Sequence, residues 1–216
     1  MHPTRRGLRL ASGLTLFGYL AAHLVCHALG LASVAVAEEA LAATVSLWHS
    51  LPGTLALYGA AAVHIGLAFE AVYARRTLRM PPAQALRIVL GVLMPLSLLG
   101  HAIATRGAYE QLGLAPQYQR IVAELWAADG QGRQLVLLVP GWLHGCMGLA
   151  YAFGHRRWWQ RLKPVLFGAA LLLPVLSAVG FLSMGRELAH GAARPAPAAT
   201  LSSPEQRALL GAWRGV

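Results

Sequence analysis

The chain has 216 residues, of which 56% are hydrophobic and only 12% are charged. A soluble domain carries about 25% charged residues, so this composition excludes an ordinary soluble globular domain. The formal net charge of +10 would suit a protein that binds nucleic acid. The positions of the basic residues, described below, exclude that class as well.

Five segments that are almost free of charge follow one another along the chain. Each approaches the ~20 residues that an α-helix needs to cross a bilayer. They are residues 10–31, 54–73, 88–105, 135–154 and 165–184. Because an open sheet cannot satisfy its backbone in lipid, these segments predict helices. We therefore expect a single all-α integral membrane domain over residues 1–216, built as a four-helix bundle with a fifth span beside it.

The basic residues gather on one side of the predicted membrane. They lie before the first span, between the second and third spans, and between the fourth and fifth: Arg5, Arg6, Arg9, Arg75, Arg76, Arg79, Arg87, Arg156, Arg157, Arg161 and Lys163. In the other loops, acidic residues balance the basic ones. This positive-inside pattern predicts a multi-pass membrane protein with its N-terminus in the cytoplasm.

The segments between the spans differ in character. Residues 32–53 are expected to form a loop, and Pro81 and Pro82 to begin the third helix, since proline is tolerated in a first turn. Residues 118–130, "YQRIVAELWAADG", have apolar residues at helical spacing and predict an amphipathic helix lying on the membrane. Residues 203–216 begin as a helix with Ser203 as N-cap and Pro204 after it. They are either a helix that ends on the membrane surface or the start of a truncated sixth span, and we favour the second interpretation. No internal repeat of useful length is visible.

Four successive spans contain histidine within their apolar sequence. The first, "GYLAAHLVCHALGL", has two histidines about one helical turn apart, and the next three spans have one each. These residues are His23, His27, His64, His101 and His144. Because an ionisable side chain inside the membrane is costly, its presence there indicates a functional site. A single one is more often a hydrogen-bond partner between helices, but one in each of four consecutive helices is hard to obtain by packing alone.

Neutral imidazole is a common metal ligand, and the iron of haem accepts two axial histidines. His23 lies fourteen residues after Arg9, and His101 lies fourteen after Arg87, so these two histidines share one depth. His64 and His144 share another depth, nearer the basic side. In an up-down-up-down bundle the members of each pair are diagonal. We therefore expect each pair to hold one haem. Six glycines near the histidines either leave room for the flat ring or allow close packing of the helices: Gly18, Gly59, Gly66, Gly100, Gly145 and Gly148.

For two of the remaining polar residues near the spans, more than one role is open. His27 is either the true ligand in place of His23 or a hydrogen-bond donor to a haem propionate or a quinone. Arg106 is placed to pair with a propionate, or is a plain interfacial anchor. Glu70 is expected to pair with an arginine of the following loop, Arg75 or Arg76. The histidines at interfaces or in loops are expected to be ordinary solvated residues: His49, His155 and His190.

The histidine pattern resembles two known families. "GYLAAHL" is similar to the first-helix ligand motif of the dihaem cytochrome b subunits of succinate dehydrogenase and fumarate reductase. A longer series resembles the haem-binding six-helix membrane anchor of bacterial class III adenylate cyclases: "HLVCHALGL", "LYGAAAVHIGLA", "RRTLRMP", "GHAIATRGAYEQLG" and "GWLHGCMGLAYAF".

This resemblance implies two b haems with iron ligands at His23 (or His27), His64, His101 and His144. It also implies a homodimeric anchor that senses respiratory redox state through quinones and signals to a fused or associated cytoplasmic cyclase domain. No cyclase metal-binding aspartates or nucleotide motif appear in this chain, which is therefore expected not to be an enzyme itself.

Two other readings remain open. One is an electron-transfer anchor of a dehydrogenase of the succinate dehydrogenase or fumarate reductase type, in which haems relay electrons between an iron-sulfur subunit and quinone. The other is a structural membrane domain or small transporter whose histidines only form packing hydrogen bonds.

Overall fold

The computed structural model describes residues 3–77, 79–191 and 202–214, and these residues form helices joined by short connections. In chain order the helices are α1 (Pro3–Leu29), α2 (Val34–Trp48), α3 (Leu51–Tyr73), α4 (Pro82–Ala102), a π-helical turn (Ile103–Gly107), α5 (Ala108–Leu112), α6 (Tyr118–Ala127), α7 (Gln131–Phe153), α8 (Arg157–Ala189) and α9 (Pro204–Arg214). No strand occurs within the described residues. The expected all-α fold class is therefore confirmed.

Within the described ranges, five helices are long and apolar enough to cross a membrane. They are Thr4–Leu29, Leu51–Tyr73, Pro82–Leu112, Gln131–Phe153 and Arg157–Ala189, and they correspond one to one with the predicted spans. Each helix is longer than the apolar run that predicted it. Helical hydrogen bonding continues into the flanking polar segments, because backbone groups there still need partners. The helix of the third span begins at Pro82 as expected.

The spanning helices pack as two tight pairs. α1 packs along α3, and α4 packs along α7, whereas contacts between the two pairs are sparse and run mainly from α1 to α7. α8 lies against α1 on the outside of the bundle. The indole of Trp142 on α7 donates a 2.8 Å hydrogen bond to the Ala170 carbonyl oxygen of α8, and its ring stacks on Phe17 of α1. These contacts tie the second pair to the first.

One end of the bundle carries a helical cap, formed by α2 and α6. Residues 32–53 were expected to be a loop, and that expectation is wrong. Ser33 accepts a hydrogen bond from the Val36 N–H and caps α2, and residues 37–43, "AEEALAA", are all strong helix formers. α2 then buries Val34, Ala37 and Leu41 against the rest of the cap.

The amphipathic helix predicted at residues 118–130 is present as α6. Its apolar face is not directed to lipid, however. Val122 and Leu125 are buried against α2 and α8, in one cluster with Phe181 and Met184. The apolar face of α6 therefore packs on protein, because α2 and α8 supply an apolar surface that the sequence of α6 alone does not reveal.

The helix predicted from residue 203 is present as α9. Ser203 and Gln206 form a capping box: the Gln206 N–H donates to the Ser203 hydroxyl at 3.1 Å, and the Ser203 N–H donates to the Gln206 side-chain oxygen at 2.8 Å. Leu210 is buried against Ala108 and Leu114. Residues 215 and 216 of the expected sixth span lie outside the described residues.

Candidate functional site

Two histidine pairs lie between the helix pairs of the bundle. The ring centroids of His64 on α3 and His144 on α7 are 6.2 Å apart, with the rings at 86°. The centroids of His23 on α1 and His101 on α4 are 5.9 Å apart, with the rings at 70°. In both cases the two helices are diagonal partners rather than packed neighbours. The number of residues between each histidine and the arginines of the basic side predicts the same two pairs.

The His64–His144 pair, nearer the basic side, is held by backbone carbonyl groups. His64 Nδ1–H donates to the Arg9 carbonyl oxygen at 3.2 Å, and His144 Nδ1–H donates to the Arg87 carbonyl oxygen at 2.9 Å. A carbonyl oxygen can only accept, so the proton lies on Nδ1 of each neutral ring. Nε2 of each ring therefore carries a free lone pair, which is the form that binds a metal ion.

The second pair has a side-chain acceptor instead. His101 Nδ1–H donates to the Gln134 side-chain oxygen on α7 at 3.0 Å, which again leaves the lone pair on Nε2. The carbonyl oxygen of His101 accepts a 2.8 Å hydrogen bond from Thr105, within the π-helical turn that follows. Such turns inside helices are frequent at functional sites. The sequence analysis did not identify Gln134. The feature that could have identified it is its position, as a polar residue immediately before the fourth apolar run.

His27 lies beside His23 rather than opposite a partner of its own. The two Nε2 atoms are 3.2 Å apart, and the rings are nearly perpendicular. The His27 ring also lies 5.1 Å from the Tyr118 ring and 5.8 Å from the Phe181 ring. His27 Nδ1 and the Tyr118 hydroxyl are both buried without a hydrogen-bond partner among the described residues. His27 Nδ1 and the Tyr118 hydroxyl could therefore each form a further hydrogen bond.

Tyr118 belongs to the cap, outside the membrane-spanning segments. Burial raises the pKa of its phenol, with smaller contributions from Cys26 and Glu38. The hydroxyl therefore stays protonated at neutral pH and can act as a hydrogen-bond donor. Sequence reasoning missed Tyr118, because its position opposite His27 depends on how α6 docks on the bundle.

Arg106 lies in the π-helical turn, beyond His101. It forms a 2.6 Å ion pair with Glu110 and donates a 3.2 Å hydrogen bond to the Thr54 hydroxyl of α3. These contacts favour its role as an interfacial anchor over that of a propionate partner.

Glu70 forms its ion pair with Arg5, and the expected pairing with Arg75 or Arg76 is wrong. The reason is that α1 extends back to Pro3 and brings Arg5 alongside the end of α3.

The other histidines fall outside the two pairs. His49 was expected to be solvated but is half-buried, with its ring 4.8 Å from the Tyr109 ring, and burial lowers its pKa. His155 and His190 are exposed, as expected.

Five of the six glycines expected to leave room for a ring have open space beside them. A methyl group at these positions would meet no heavy atom within 4 Å: Gly18, Gly59, Gly66, Gly100 and Gly148. At Gly145 a methyl group would clash with the Phe17 ring, so that glycine serves close helix packing. The open positions lie on the same spans as the histidine pairs.

A cleft of about 230 Å³ opens beside His101, between α4, α7 and α9. Its walls are apolar, formed by Leu96, Leu99, Leu137 and Trp213 among others. Its polar groups come from Ser97, His101, Arg133 and Gln134. The cleft is smaller than the about 300–1,000 Å³ of typical small-molecule sites, and polar and apolar groups share its lining.

His64 and His144 form a pair, whereas His23 lies between His101 and His27. Within residues 3–77, 79–191 and 202–214, no three His, Cys, Asp or Glu side chains are arranged to hold one metal ion. Two axial nitrogens are sufficient for iron that is already held by four macrocycle nitrogens. Comparison of the chain with protein-family models, with curated proteins and with solved structures finds no match.

Proposed function

We propose that this chain is a membrane-embedded dihaem b-type cytochrome module. The observation that carries the proposal is the separation within the two histidine pairs, 5.9 and 6.2 Å between ring centroids. A metal–imidazole bond of about 2 Å, with the centroid about 1 Å behind the nitrogen, places two axial rings about 6 Å apart. A separation of that size leaves room for one metal atom between the members of each pair, and at the second pair His23 Nε2 would turn away from its 3.2 Å contact with His27 Nε2.

The hydrogen bonds of the rings support the same assignment. His64, His101 and His144 each donate Nδ1–H to an oxygen on a neighbouring helix, and their Nε2 atoms are left as ligands. Ligating histidines in proteins almost always donate their other N–H in this way, which fixes the tautomer and raises the basicity of the ligand. Histidines that served only as packing hydrogen bonds would not require this shared arrangement.

The packing of the helices is compatible with flat cofactors. The α1/α3 and α4/α7 pairs make few contacts with each other, and the histidine pairs span the region between them. A porphyrin held there would have protein on both faces and the apolar spans around its edge. When bound, haem supplies one-electron transfer; the residues of this chain hold and orient it and exclude water.

We place the module in the bacterial inner membrane, with the arginine-rich side in the cytoplasm. Its role is that of a redox and quinone sensor that anchors a cytoplasmic adenylate cyclase domain, as its resemblance to cyclase anchors suggests. The cleft beside His101 supports the quinone part of this proposal, since it joins apolar walls to polar groups that contact the His23–His101 pair. The alternative, an electron-transfer anchor of a dehydrogenase, uses the same two haems.

The test is an absorption spectrum of the purified protein, reduced minus oxidised, with the haem content per chain. We expect sharp low-spin b-type bands and two haems. The single variants His64→Ala and His144→Ala should each lose about half of the haem, because an iron with one axial ligand is weakly held. The matched control is His155→Ala, an exposed histidine that should leave the haem content unchanged.

A colourless preparation from cells grown with ample haem would contradict the proposal. Full haem content in all four single variants of the paired histidines would contradict the ligand assignment.

A further inference from the structure

A short pattern occurs twice in the spanning helices. Residues 9–13 read "RLASG" in α1, and residues 87–91 read "RIVLG" in α4. In each helix an arginine is followed four residues later by glycine and fourteen residues later by a paired histidine, His23 or His101. The partner helices, α3 and α7, carry the histidines of the other pair.

We infer that α1/α3 and α4/α7 are two copies of one structural unit, in which a glycine seats the imidazole of the neighbouring helix. The two imidazole seats are the Arg9 carbonyl with Gly13, and the Arg87 carbonyl with Gly91. Gly13 is then the positioning residue for His64, and Gly91 is the positioning residue for His144.

The contacts at the two seats are alike. A methyl group on Gly13 would lie 3.0 Å from His64 Cε1 and 3.3 Å from its Nδ1. A methyl group on Gly91 would lie 2.7 Å from His144 Cε1 and 2.9 Å from its Nδ1. In both cases the Cε1–Nδ1 edge of the ring therefore lies against the backbone of the adjacent helix. A side chain at Gly91 would force the His144 ring to move, and one at Gly13 would require the His64 ring to shift by a smaller amount.

The glycine and the carbonyl group act together. Residues four apart lie on the same face of a helix, so the arginine carbonyl and the glycine surface meet one ring. His64 Nδ1–H donates to Arg9, and His144 Nδ1–H donates to Arg87, at 3.2 and 2.9 Å. An alanine would push the ring away from the carbonyl oxygen and weaken this bond. The tautomer would then be free to change, and Nε2 would move from its place opposite the partner histidine.

The two copies are related as a parallel repeat. α1 and α4 run in the same direction, as do α3 and α7, which is the order of a parallel repeat. The likeness is local to the two glycines, because α1 packs on α7 whereas α3 and α4 hardly touch. All three residues between the arginine and the glycine differ between the two copies, and one of these differences touches the ring. The Ser12 hydroxyl lies 3.4 Å from His64 Nδ1, whereas Leu90 occupies the corresponding place in α4. The seat at Gly91 is also the tighter one.

The experiment uses full-length protein in detergent, labelled with ¹⁵N-histidine and prepared without haem. In the wild type we expect His64 and His144, assigned from His64→Gln and His144→Gln, to show the tautomer protonated at Nδ1. Gly91→Ala should change the ¹⁵N signals of His144 alone, and Gly13→Ala those of His64 alone and by less. The matched controls are Gly7→Ala on α1 and Gly132→Ala on α7, where a methyl group meets nothing within 4 Å.

The haem consequence rests on the proposed function and is measured separately. Each glycine variant should lower haem affinity at the His64–His144 pair by about 10–100-fold, the usual effect of disturbing a group that orients a ligand. The His23–His101 haem should be unchanged. If Gly91→Ala does not fold, as judged by gel filtration and circular dichroism, Gly13→Ala decides the question.

The two ideas fail in different ways. A wild-type protein without haem would end the proposed function, while the ¹⁵N spectra would still decide the imidazole seats. Wild-type ¹⁵N signals for both histidines in Gly13→Ala and Gly91→Ala would overturn this inference.

Discussion

The paired histidines depend on the residues that accept their Nδ1 protons. Two of these acceptors are backbone carbonyl groups and cannot be removed by substitution, whereas the third is the side chain of Gln134. A stronger acceptor makes an imidazole more electron-rich and stabilises the oxidised metal. A substitution of Gln134 can therefore change the electron density of the His101 imidazole without replacing His101 itself.

For Gln134→Leu, we expect the midpoint potential of the His23–His101 haem to rise and its haem affinity to fall by about 10–100-fold. Gln134→Glu should lower the potential, because a carboxylate is the stronger acceptor. A spectroscopic redox titration checks both changes. The control is Gln111→Leu, an exposed position on α5. Shifts of the same sign in the two Gln134 variants would contradict this role.

The choice between His23 and His27 can also be made at the level of single residues. The His23 ring lies 5.9 Å from the His101 ring, whereas His27 contacts His23, Tyr118 and Phe181. We therefore predict that His23→Leu loses one of the two haems and that His27→Leu retains both. The measurement is haem content per chain. The reverse result would make His27 the ligand.

At the scale of the elements, the cap of α2 and α6 depends on a buried ion pair. The Arg120 side chain is fully buried; it donates to the Ala115 carbonyl oxygen and, at 3.3 Å, to the Glu124 carboxylate. Burial lowers the pKa of Arg120, and the adjacent Glu124 opposes that shift. The Ser202 hydroxyl donates to the same carboxylate and joins the segment before α9 to α6. Glu124 is thus the partner of a buried charge and a link between two elements.

We predict that Glu124→Gln destabilises the cap by about 2 kcal/mol, because it leaves a buried guanidinium without its counter-charge. The expected result is a lower Tm in detergent, together with faster hydrogen exchange in α6 and α9. Glu39→Gln, an exposed carboxylate on α2, is the control and should change stability by less than about 0.5 kcal/mol. Equal Tm values for the two variants would show that the buried pair contributes nothing.

At the scale of the whole molecule, the charges of the connections set the orientation. The connection between α3 and α4 and the start of α8 are rich in arginine, whereas the cap contains Glu38, Glu39 and Glu124. The five spanning helices bring all the arginine-rich ends to one side. From the positive-inside rule we predict that this side faces the cytoplasm.

This orientation predicts the labelling of single cysteines in a Cys26→Ala, Cys146→Ala background. A membrane-impermeant maleimide should label Ala115→Cys in intact spheroplasts, because residue 115 is exposed at the cap. Thr77→Cys, exposed in the connection between α3 and α4, should react only after lysis. Labelling of Thr77→Cys in intact spheroplasts would reverse the proposed topology.

The sequence by itself determined the features that depend on neighbouring residues along the chain. These are the five spans, the start of α4 at Pro82, the capping residue Ser203 and the two depths at which the histidines lie. Apolar length, proline geometry and side-chain caps act over one or a few helical turns, so they can be read locally. The relative depth of two residues follows from a constant rise per residue.

Tertiary structure alone decided which groups meet. It placed Arg5, not Arg75, beside Glu70, turned the apolar face of α6 onto protein, and set Gln134 against His101. It also brought Gly91 under the ring of His144. Each of these contacts joins different helices, and their register is set by the packing of all the surfaces together. That collective fit is not encoded in any one segment of the chain.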